Sequence, residues 1–182
     1  MALKRLFIAS FVDSKLLADF YKNIKTDFKN AVSGKWVDEN NLHITHKFLG
    51  DVEENKIASI KEALMPEIDR AHECELYFSG PDTFSLKNPR ILFIKAEDKK
   101  KTLAGLNSAC ERAMVKAGFP SEDKPFNPHI TIMRMKSVNA NIFCELINKR
   151  RNEAIKKGPQ REIKLSLIES LLTPAGPVYK II

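Results

Sequence analysis

The chain has 182 residues, and 30 lysines and arginines against 23 aspartates and glutamates give it a formal charge of +7. Hydrophobic residues make up 43% and charged residues 29% of the sequence, which excludes wholesale disorder and allows one globular domain with a sizeable core. No apolar run approaches the roughly 20 residues of a membrane-spanning helix, and the early Asp13 indicates a first strand rather than a signal peptide.

Hydrophobic periodicity predicts alternating strands and helices. The first half is predicted to contain a strand at 4–10, a helix at 14–31, a strand at 42–49, a helix at 54–71 and an extended segment at 73–79. Turn-forming residues then mark a break near 80–90. The second half repeats this order, with a strand at 91–96, a helix at 98–117, a strand at 128–134, a helix at 139–156, a strand at 161–170 and an end strand at 178–182.

This order predicts one domain over 1–182, built from similar halves at about 1–85 and 86–182. Alternating strands and helices fit a parallel α/β sheet, but antiparallel α+β halves produce the same order, so the pattern leaves both open. The moderate positive charge fits a phosphate-bearing partner, although the lysine and arginine clusters lie on predicted helices and favour solvated helix faces. A monomer is the default expectation.

The three cysteines are Cys74, Cys110 and Cys144, which are far apart and odd in number. They predict free thiols in a reducing cytoplasm and argue against a disulfide framework or a zinc ribbon. The glycines stand alone, so no glycine-rich phosphate-binding loop is expected.

A short motif occurs twice. Asn-Leu-His-Ile-Thr at 41–45 returns as Asn-Pro-His-Ile-Thr at 127–131, each time in the middle strand of its half. A single histidine on a strand is more often structural than catalytic, and threonine is common in strands for conformational reasons. Two of only four histidines in one duplicated pattern favour a functional interpretation, more firmly for His43 and His129 than for the threonines.

The His-x-Thr spacing places an imidazole and a hydroxyl on one strand face, because residues i and i+2 point the same way. His43 and Thr45 form one pair, and His129 and Thr131 form the other. If the two halves meet about a pseudo-two-fold axis, both pairs line one cleft. One imidazole can then accept a proton while the other donates one, and the hydroxyls can bind the oxygens of a phosphate.

Three further residues near this pattern need separate predictions. Strand alternation turns His46 away from His43, which disfavours a metal site from this pair, and we predict no metal ligands. The same alternation puts Lys47 on the face of His43, where it could meet a phosphate or be an ordinary surface lysine. His72 is expected at the solvent side or the end of a helix.

At these residues the sequence resembles the two-histidine phosphoesterase superfamily, and within it the RNA 2′,3′-cyclic phosphodiesterases, also called 2′-5′ RNA ligases. The resemblance covers nearly the whole chain. It rests on the segments 5–9, 36–50 with its trailing Phe-Leu-Gly, 89–93, 126–134 and 169–179. It implies an α+β fold with two pseudo-symmetric lobes, each an antiparallel sheet with helices outside, around a central cleft.

The resemblance also implies hydrolysis of a terminal RNA 2′,3′-cyclic phosphate to a 2′-phosphate without a cofactor or metal. By carry-over, His43 is the proton donor and His129 the proton acceptor, while Thr45, Thr131 and Arg134 bind the phosphate. Regular strand alternation would place Arg134 on the face opposite His129, so this role requires a bulge or a strand end. The family usually has an apolar residue where this chain has His46.

The sequence therefore predicts an RNA-end hydrolase whose partners are RNA 3′ ends bearing a cyclic phosphate or related nucleotides. A non-catalytic module that binds RNA ends would need the same net positive charge and the same threonines, but it would not need both imidazoles. Joining of 2′-5′ ends is related chemistry in the reverse direction, and the sequence does not separate it from hydrolysis.

Overall fold

Nine strands form a single sheet in this computed structural model, which describes residues 2–174 and 176–182; Met1 and Ala175 lie outside the described residues. The strands are β1 (Leu3–Phe11), β2 (Val32–Trp36), β3 (His43–Glu53), β4 (Ala71–Asp82), β5 (Ile91–Asp98), β6 (His129–Val138), β7 (Gln160–Lys164), β8 (Ser166–Thr173) and β9 (Gly176–Ile181). Their order is β7-β4-β5-β6-β3-β1-β8-β9, with β2 beside β6, and these neighbours pair antiparallel. The predicted α+β class is confirmed.

The sheet has two parts, which we call the β1 half-sheet (β3, β1, β8 and β9) and the β5 half-sheet (β7, β4, β5, β6 and β2). They join between β3 and β6, where Ile44 pairs with Ile130. The two sheets that the resemblance implied are thus parts of one continuous sheet. Assignment of 1–182 to a single two-lobed domain stays a prediction.

Four helices pack against one face of the sheet within the described residues. They are α1 (Ser14–Phe28), α2 (Ile57–Leu64), α3 (Thr102–Lys116) and α4 (Ala140–Arg150). α1 buries Leu17, Phe20, Tyr21, Ile24 and Phe28, whose three- and four-residue spacing forms one apolar stripe. It shares a core with α4 and the β5 half-sheet, whereas α2 packs under the β1 half-sheet.

Helix α3 lies under the junction of the two half-sheets. Leu103 and Leu106 belong to the larger core cluster, and Cys110 and Met114 belong to the smaller one. The opposite face of the sheet, which we call the open face, is not covered by these helices. Side chains that alternate with the buried core positions of β3 and β6 therefore project from the open face.

Several predicted elements differ from the structure. The predicted helix at 54–71 is a short 3-10 turn at Glu54–Lys56 followed by α2, which ends before Pro66 because proline cannot continue a helix. His72 consequently lies in β4, half-buried, where its Nε2 donates to the carbonyl of Glu67. It is not at a helix end, as the sequence had predicted.

Two further boundaries reflect pairing that periodicity does not encode. The strand predicted at 161–170 is two strands, because β7 pairs with β4 on one half-sheet and β8 pairs with β1 on the other. β2 was not predicted, since Val-Ser-Gly-Lys-Trp has only two large apolar residues. Its pairing with β6 brings Gly34 close to the backbone of Arg134, where a side chain would not fit.

None of the helices in the described part of the chain has the length and hydropathy of a membrane span.

Candidate active site

The two His-x-Thr motifs begin the two strands at the centre of the sheet. His43 is the first residue of β3, and His129 is the first residue of β6. Ile44 and Ile130 pair with each other and are fully buried in the core, so their neighbours in sequence project from the open face. Antiparallel pairing at this point has local two-fold symmetry, which brings the two imidazole–hydroxyl pairs together between the half-sheets.

Each imidazole is oriented by the same backbone contact. Nδ1 of His43 lies 2.6 Å from the carbonyl oxygen of Asn41, and Nδ1 of His129 lies 2.8 Å from the carbonyl oxygen of Asn127. A carbonyl can only accept, so Nδ1 carries the proton in both rings. This leaves Nε2 of each neutral ring with a lone pair, and neither Nε2 is hydrogen-bonded to another described residue. The duplicated Asn in the motif thus supplies an orienting backbone carbonyl, not a side-chain contact.

The environment of both histidines favours the neutral imidazole. Burial lowers the pKa of His43, and the positive charges of Arg134 and His129 lower it further, while the hydrogen bond to Asn41 opposes the shift. Burial also lowers the pKa of His129, opposed by its hydrogen bond to Asn127. Arg134 and His129 lower the pKa of His43 because both side chains share the open face with it.

A β-bulge follows each His-x-Thr motif. Ile8 and Ala9 of β1 pair with Lys47 and Thr45 of β3, so His46 is an extra residue on β3. An extra residue reverses the alternation of side chains beyond it. Phe48, three residues after Thr45, consequently returns to the open face, where it pairs with Phe7 and is 63% exposed.

The bulge in β6 does the same for Arg134. Leu92 and Phe93 of β5 pair with Met133 and Thr131, so Ile132 is the extra residue. Arg134 is therefore exposed on the open face with His129 and Thr131. Regular alternation had placed it on the other face, and the bulge overturns that expectation.

The position of Lys47 differs from both sequence-based alternatives. Its side chain is only 2% exposed and lies on the helix side of the sheet, because the bulge at His46 reverses its direction. Its Nζ donates to both carboxylate oxygens of Glu111 at 2.9 Å and to the carbonyl of Pro120 at 2.8 Å. Lys47 is therefore neither a phosphate ligand nor a surface lysine. It connects β3 to α3 and to the segment that leads into the second motif.

His46 faces away from His43, as predicted. Its ring stacks on Phe126 with 5.4 Å between centroids, and its Nε2 lies 3.0 Å from Oγ of Ser10. Nδ1 is buried and has no hydrogen-bond partner among the described residues. Burial lowers the pKa of His46 to about 3, so the ring is neutral in the folded protein. The ring packs beside the segment that holds His129 and takes no part in the site itself.

We expect His46 to make the protein sensitive to acid. Its pKa is about 3 when folded and about 6.5 when unfolded, so the unfolded chain binds the extra proton between these values. The free energy of unfolding should fall by about 1 kcal/mol as the pH falls from 6.5 to 5.5. Urea unfolding of His46→Leu should show a shallower pH dependence, whereas Ser10→Ala should retain it because the imidazole remains. An unchanged slope in His46→Leu would contradict this assignment.

Aromatic side chains surround both histidines, and the sequence analysis did not identify them. The ring centroid of His43 lies 5.2 Å from that of Phe7, 6.0 Å from that of Phe11 and 5.3 Å from that of Tyr179. The rings of Phe7 and Tyr179 also contact each other, with 5.0 Å between centroids. Phe7 and Phe11 are four residues apart on β1, so both side chains lie on the face of the strand that borders the site. This spacing was visible in the sequence.

The ring of His129 contacts two other aromatic residues. Phe93 lies 5.3 Å away on β5, and Phe84 lies 4.9 Å away, with 54% of its surface exposed. Phe84 belongs to the 83–90 segment, and nothing in its sequence pattern indicated that it reaches the site.

A charged network adjoins His129. Lys95 pairs across the strands with His129, and its Nζ lies 3.7 Å from Asp82 and 3.2 Å from Oδ1 of Asn152. Asp82 is buried and also accepts two hydrogen bonds from Arg151, at 2.9 and 3.1 Å. These contacts hold a cationic side chain next to the site. Among the described residues, no cluster of three or more histidine, cysteine or acidic side chains could hold a metal ion.

The fold and the site together define an α+β protein with two His-x-Thr motifs on adjacent central strands and an arginine beside them. The chain belongs to the 2′-5′ RNA ligase superfamily, whose family model matches residues 17–156.

Curated relatives and solved structures agree with this membership. The chain is 31% identical over 184 residues to a protein of Aquifex aeolicus named RNA 2′,3′-cyclic phosphodiesterase, covering 100% of this chain and 96% of that protein. It is 32% identical over 177 residues to a protein of the same name from Archaeoglobus fulgidus, covering 97% and 96%.

Two solved structures share the fold. TT0787 of Thermus thermophilus superposes with a TM-score of 0.71 at 24% identity, covering 98% of this chain and 94% of that one. E. coli LigT complexed with 3′-AMP superposes with a TM-score of 0.70 at 18% identity, covering 99% and 95%.

Proposed function

We propose that this protein hydrolyses terminal RNA 2′,3′-cyclic phosphates to 2′-phosphates. The observation that carries the proposal is the pair of imidazoles, held by matching Nδ1 contacts with each Nε2 free on one open face. Relatives over the full chain length that are named RNA 2′,3′-cyclic phosphodiesterase support the same activity. Two such nitrogens suit a reaction in which one proton is removed and another is delivered.

In the proposed reaction, His129 accepts a proton from water as the water oxygen attacks phosphorus. The bond between phosphorus and the 3′ oxygen breaks, and His43 donates its proton to that oxygen. The products are a 2′-phosphate and a free 3′-hydroxyl. The hydroxyls of Thr45 and Thr131 have no hydrogen-bond partner among the described residues, so both are free to bind the non-bridging oxygens. Arg134 adds a positive charge where negative charge develops.

We propose that the terminal nucleoside lies between the aromatic groups. Phe84 contacts His129, and Phe48 contacts Phe7, which itself packs on His43. Both Phe84 and Phe48 are largely exposed, which suits stacking of an unpaired base. Lys95 adds a positive charge on the same face, next to His129.

We also propose a reducing cytoplasm as the location, because Cys74, Cys110 and Cys144 are all free thiols.

Arg134 should control the alkaline limb of the pH profile. In the free protein its charge lowers the pKa of His43, so the proton donor is lost at a lower pH. A bound phosphate neutralises Arg134 and favours the imidazolium. We therefore expect the alkaline limb of kcat to lie at higher pH than that of kcat/KM. Arg134→Gln should move the limb of kcat/KM to higher pH and lower its maximum about 100-fold. An unmoved limb would contradict the proximity of Arg134 to His43.

Product analysis tests the function directly. The protein is incubated with nucleoside 2′,3′-cyclic phosphates and with an oligonucleotide ending in a cyclic phosphate, and the 2′- and 3′-monophosphates are separated by chromatography. The 2′-phosphate is expected. Tight binding without any product would indicate a binding module instead, and joined oligonucleotides at high end concentration would indicate ligation.

A further inference from the structure

A second recessed surface lies beyond Arg134 in the direction of β6. It is a groove of about 260 Å³ between the 86–90 segment, the end of β6 and the start of α4. The residues that matter for its chemistry are Leu86, Lys87, Pro89, Arg90, Lys136 and Ser137. None of the described residues that line it carries a carboxylate.

The groove and the candidate active site lie along the same strand and the same loop. Arg134 pairs with Ile91 across β6 and β5, and the next hydrogen bond along the strands joins the amide of Met135 to the carbonyl of Arg90. Phe84, which packs on His129, belongs to the same loop that forms one wall of the groove. From Thr131 to Lys136 the strand advances roughly 15 Å. One loop and one strand therefore border both the site and the groove.

The cations of this region are not neutralised by the protein. Lys87, Arg90 and Lys136 are exposed, and none of them pairs with a carboxylate within residues 2–174 and 176–182. The same holds for Arg134 and for Lys35, which pairs with Arg134 across β2 and β6. On the other end of α4, by contrast, Arg150 and Arg151 are held by acidic side chains.

We propose that this groove binds the single-stranded RNA that precedes the terminal nucleotide, so that the preferred substrate is an oligonucleotide. The inference rests on the proposed function and names its substrate class. A row of unpaired cations that leads away from a phosphate site matches the repeating negative charge of a nucleic acid backbone. A flexible single strand suits a groove that offers charge and apolar surface but no array of base-reading groups.

The test compares a nucleoside 2′,3′-cyclic phosphate with an octanucleotide ending in the same group. For the unmodified protein, kcat/KM should be higher for the octanucleotide and should fall with salt. Three contacts to single-stranded RNA give a slope of about −2 in log–log form, which is about a 20-fold loss between 50 and 200 mM salt.

The triple variant Lys87→Gln/Arg90→Gln/Lys136→Gln removes the three groove cations. It should lower kcat/KM for the octanucleotide on the order of 10-fold and remove most of the salt dependence. Activity on the mononucleotide should be unchanged, which also shows that the variant folds. A matched variant, Lys61→Gln/Arg112→Gln/Lys116→Gln, removes three charges from α2 and α3, away from the groove, and should behave like the unmodified protein.

Equal effects of the groove variant on both substrates, or no effect on either, would overturn the inference. The proposed function fails separately, if neither substrate is hydrolysed. In that case, fluorescence anisotropy with a labelled 3′-phosphorylated octanucleotide still tests the groove. Weaker binding by the groove variant alone supports the inference, and equal binding by all three proteins refutes it.

Discussion

Replacing His43 or His129 by alanine is expected to lower kcat for a 2′,3′-cyclic phosphate on the order of 100-fold or more, the usual contribution of a positioned acid or base. Neither imidazole has a nearby substitute, because the other ring is already committed to the opposite proton transfer. Both variants should fold, since each ring is only partly buried and makes one backbone hydrogen bond. Initial rates on nucleoside 2′,3′-cyclic phosphates, with and without EDTA, provide the measurement.

His72→Gln is the matched control, because His72 is a half-buried histidine on β4 whose one hydrogen bond goes to the Glu67 carbonyl. It should retain full activity. A turnover near that of the unmodified protein in His43→Ala or His129→Ala would refute the two-histidine site.

The proton donor can be distinguished from the proton acceptor by the leaving group. An aryl phosphodiester releases a weakly basic phenolate that needs little protonation. His43→Ala should therefore lose much less activity on the aryl ester than on RNA, whereas His129→Ala should be impaired on both. The reverse pattern would exchange the two roles, because both rings are held by the same kind of backbone contact.

The largest expected effect on stability comes from Glu111. Glu111→Leu leaves the ammonium of Lys47, which is 2% exposed, with the carbonyl of Pro120 as its remaining partner. Breaking a buried ion pair in this way should lower the free energy of unfolding by about 3 kcal/mol, which corresponds to a fall of about 6–12 °C in Tm. Glu111 is itself 20% exposed, which keeps the expected value at the low end of the usual range.

The double variant Lys47→Met/Glu111→Leu should recover most of this loss, because it removes both buried charges and leaves apolar side chains of similar volume. Urea unfolding of both single variants and the double variant gives the coupling energy. Glu62→Leu, on the exposed side of α2, is the control for adding a leucine to a helix. If Glu111→Leu is as stable as the control, Lys47 and Glu111 do not form the buried pair described above.

Much of the fold was predictable where periodicity and motif agreed. β1, β3, β5 and β6, and helices α1 and α3, lie within a few residues of their predicted positions. The helix predicted at 139–156 begins as expected but ends at Arg150. The helix at 54–71 was overpredicted past Pro66, and β2 was missed because its pairing with β6 compensates for a weakly apolar sequence. The split of 161–170 depends on pairing with two different half-sheets, which no local pattern encodes.

For the candidate site, sequence information alone was enough to select His43, Thr45, His129 and Thr131, because a duplicated spacing of two residues fixes a common strand face. The resemblance named Arg134, but the tertiary structure was needed to find which face of the sheet the side chains of Arg134 and Lys47 occupy. The bulges after each motif reverse the direction of later side chains, and register between strands is a property of their pairing. The aromatic walls and the basic groove likewise depend on contacts between segments distant in sequence, which only the folded chain brings together.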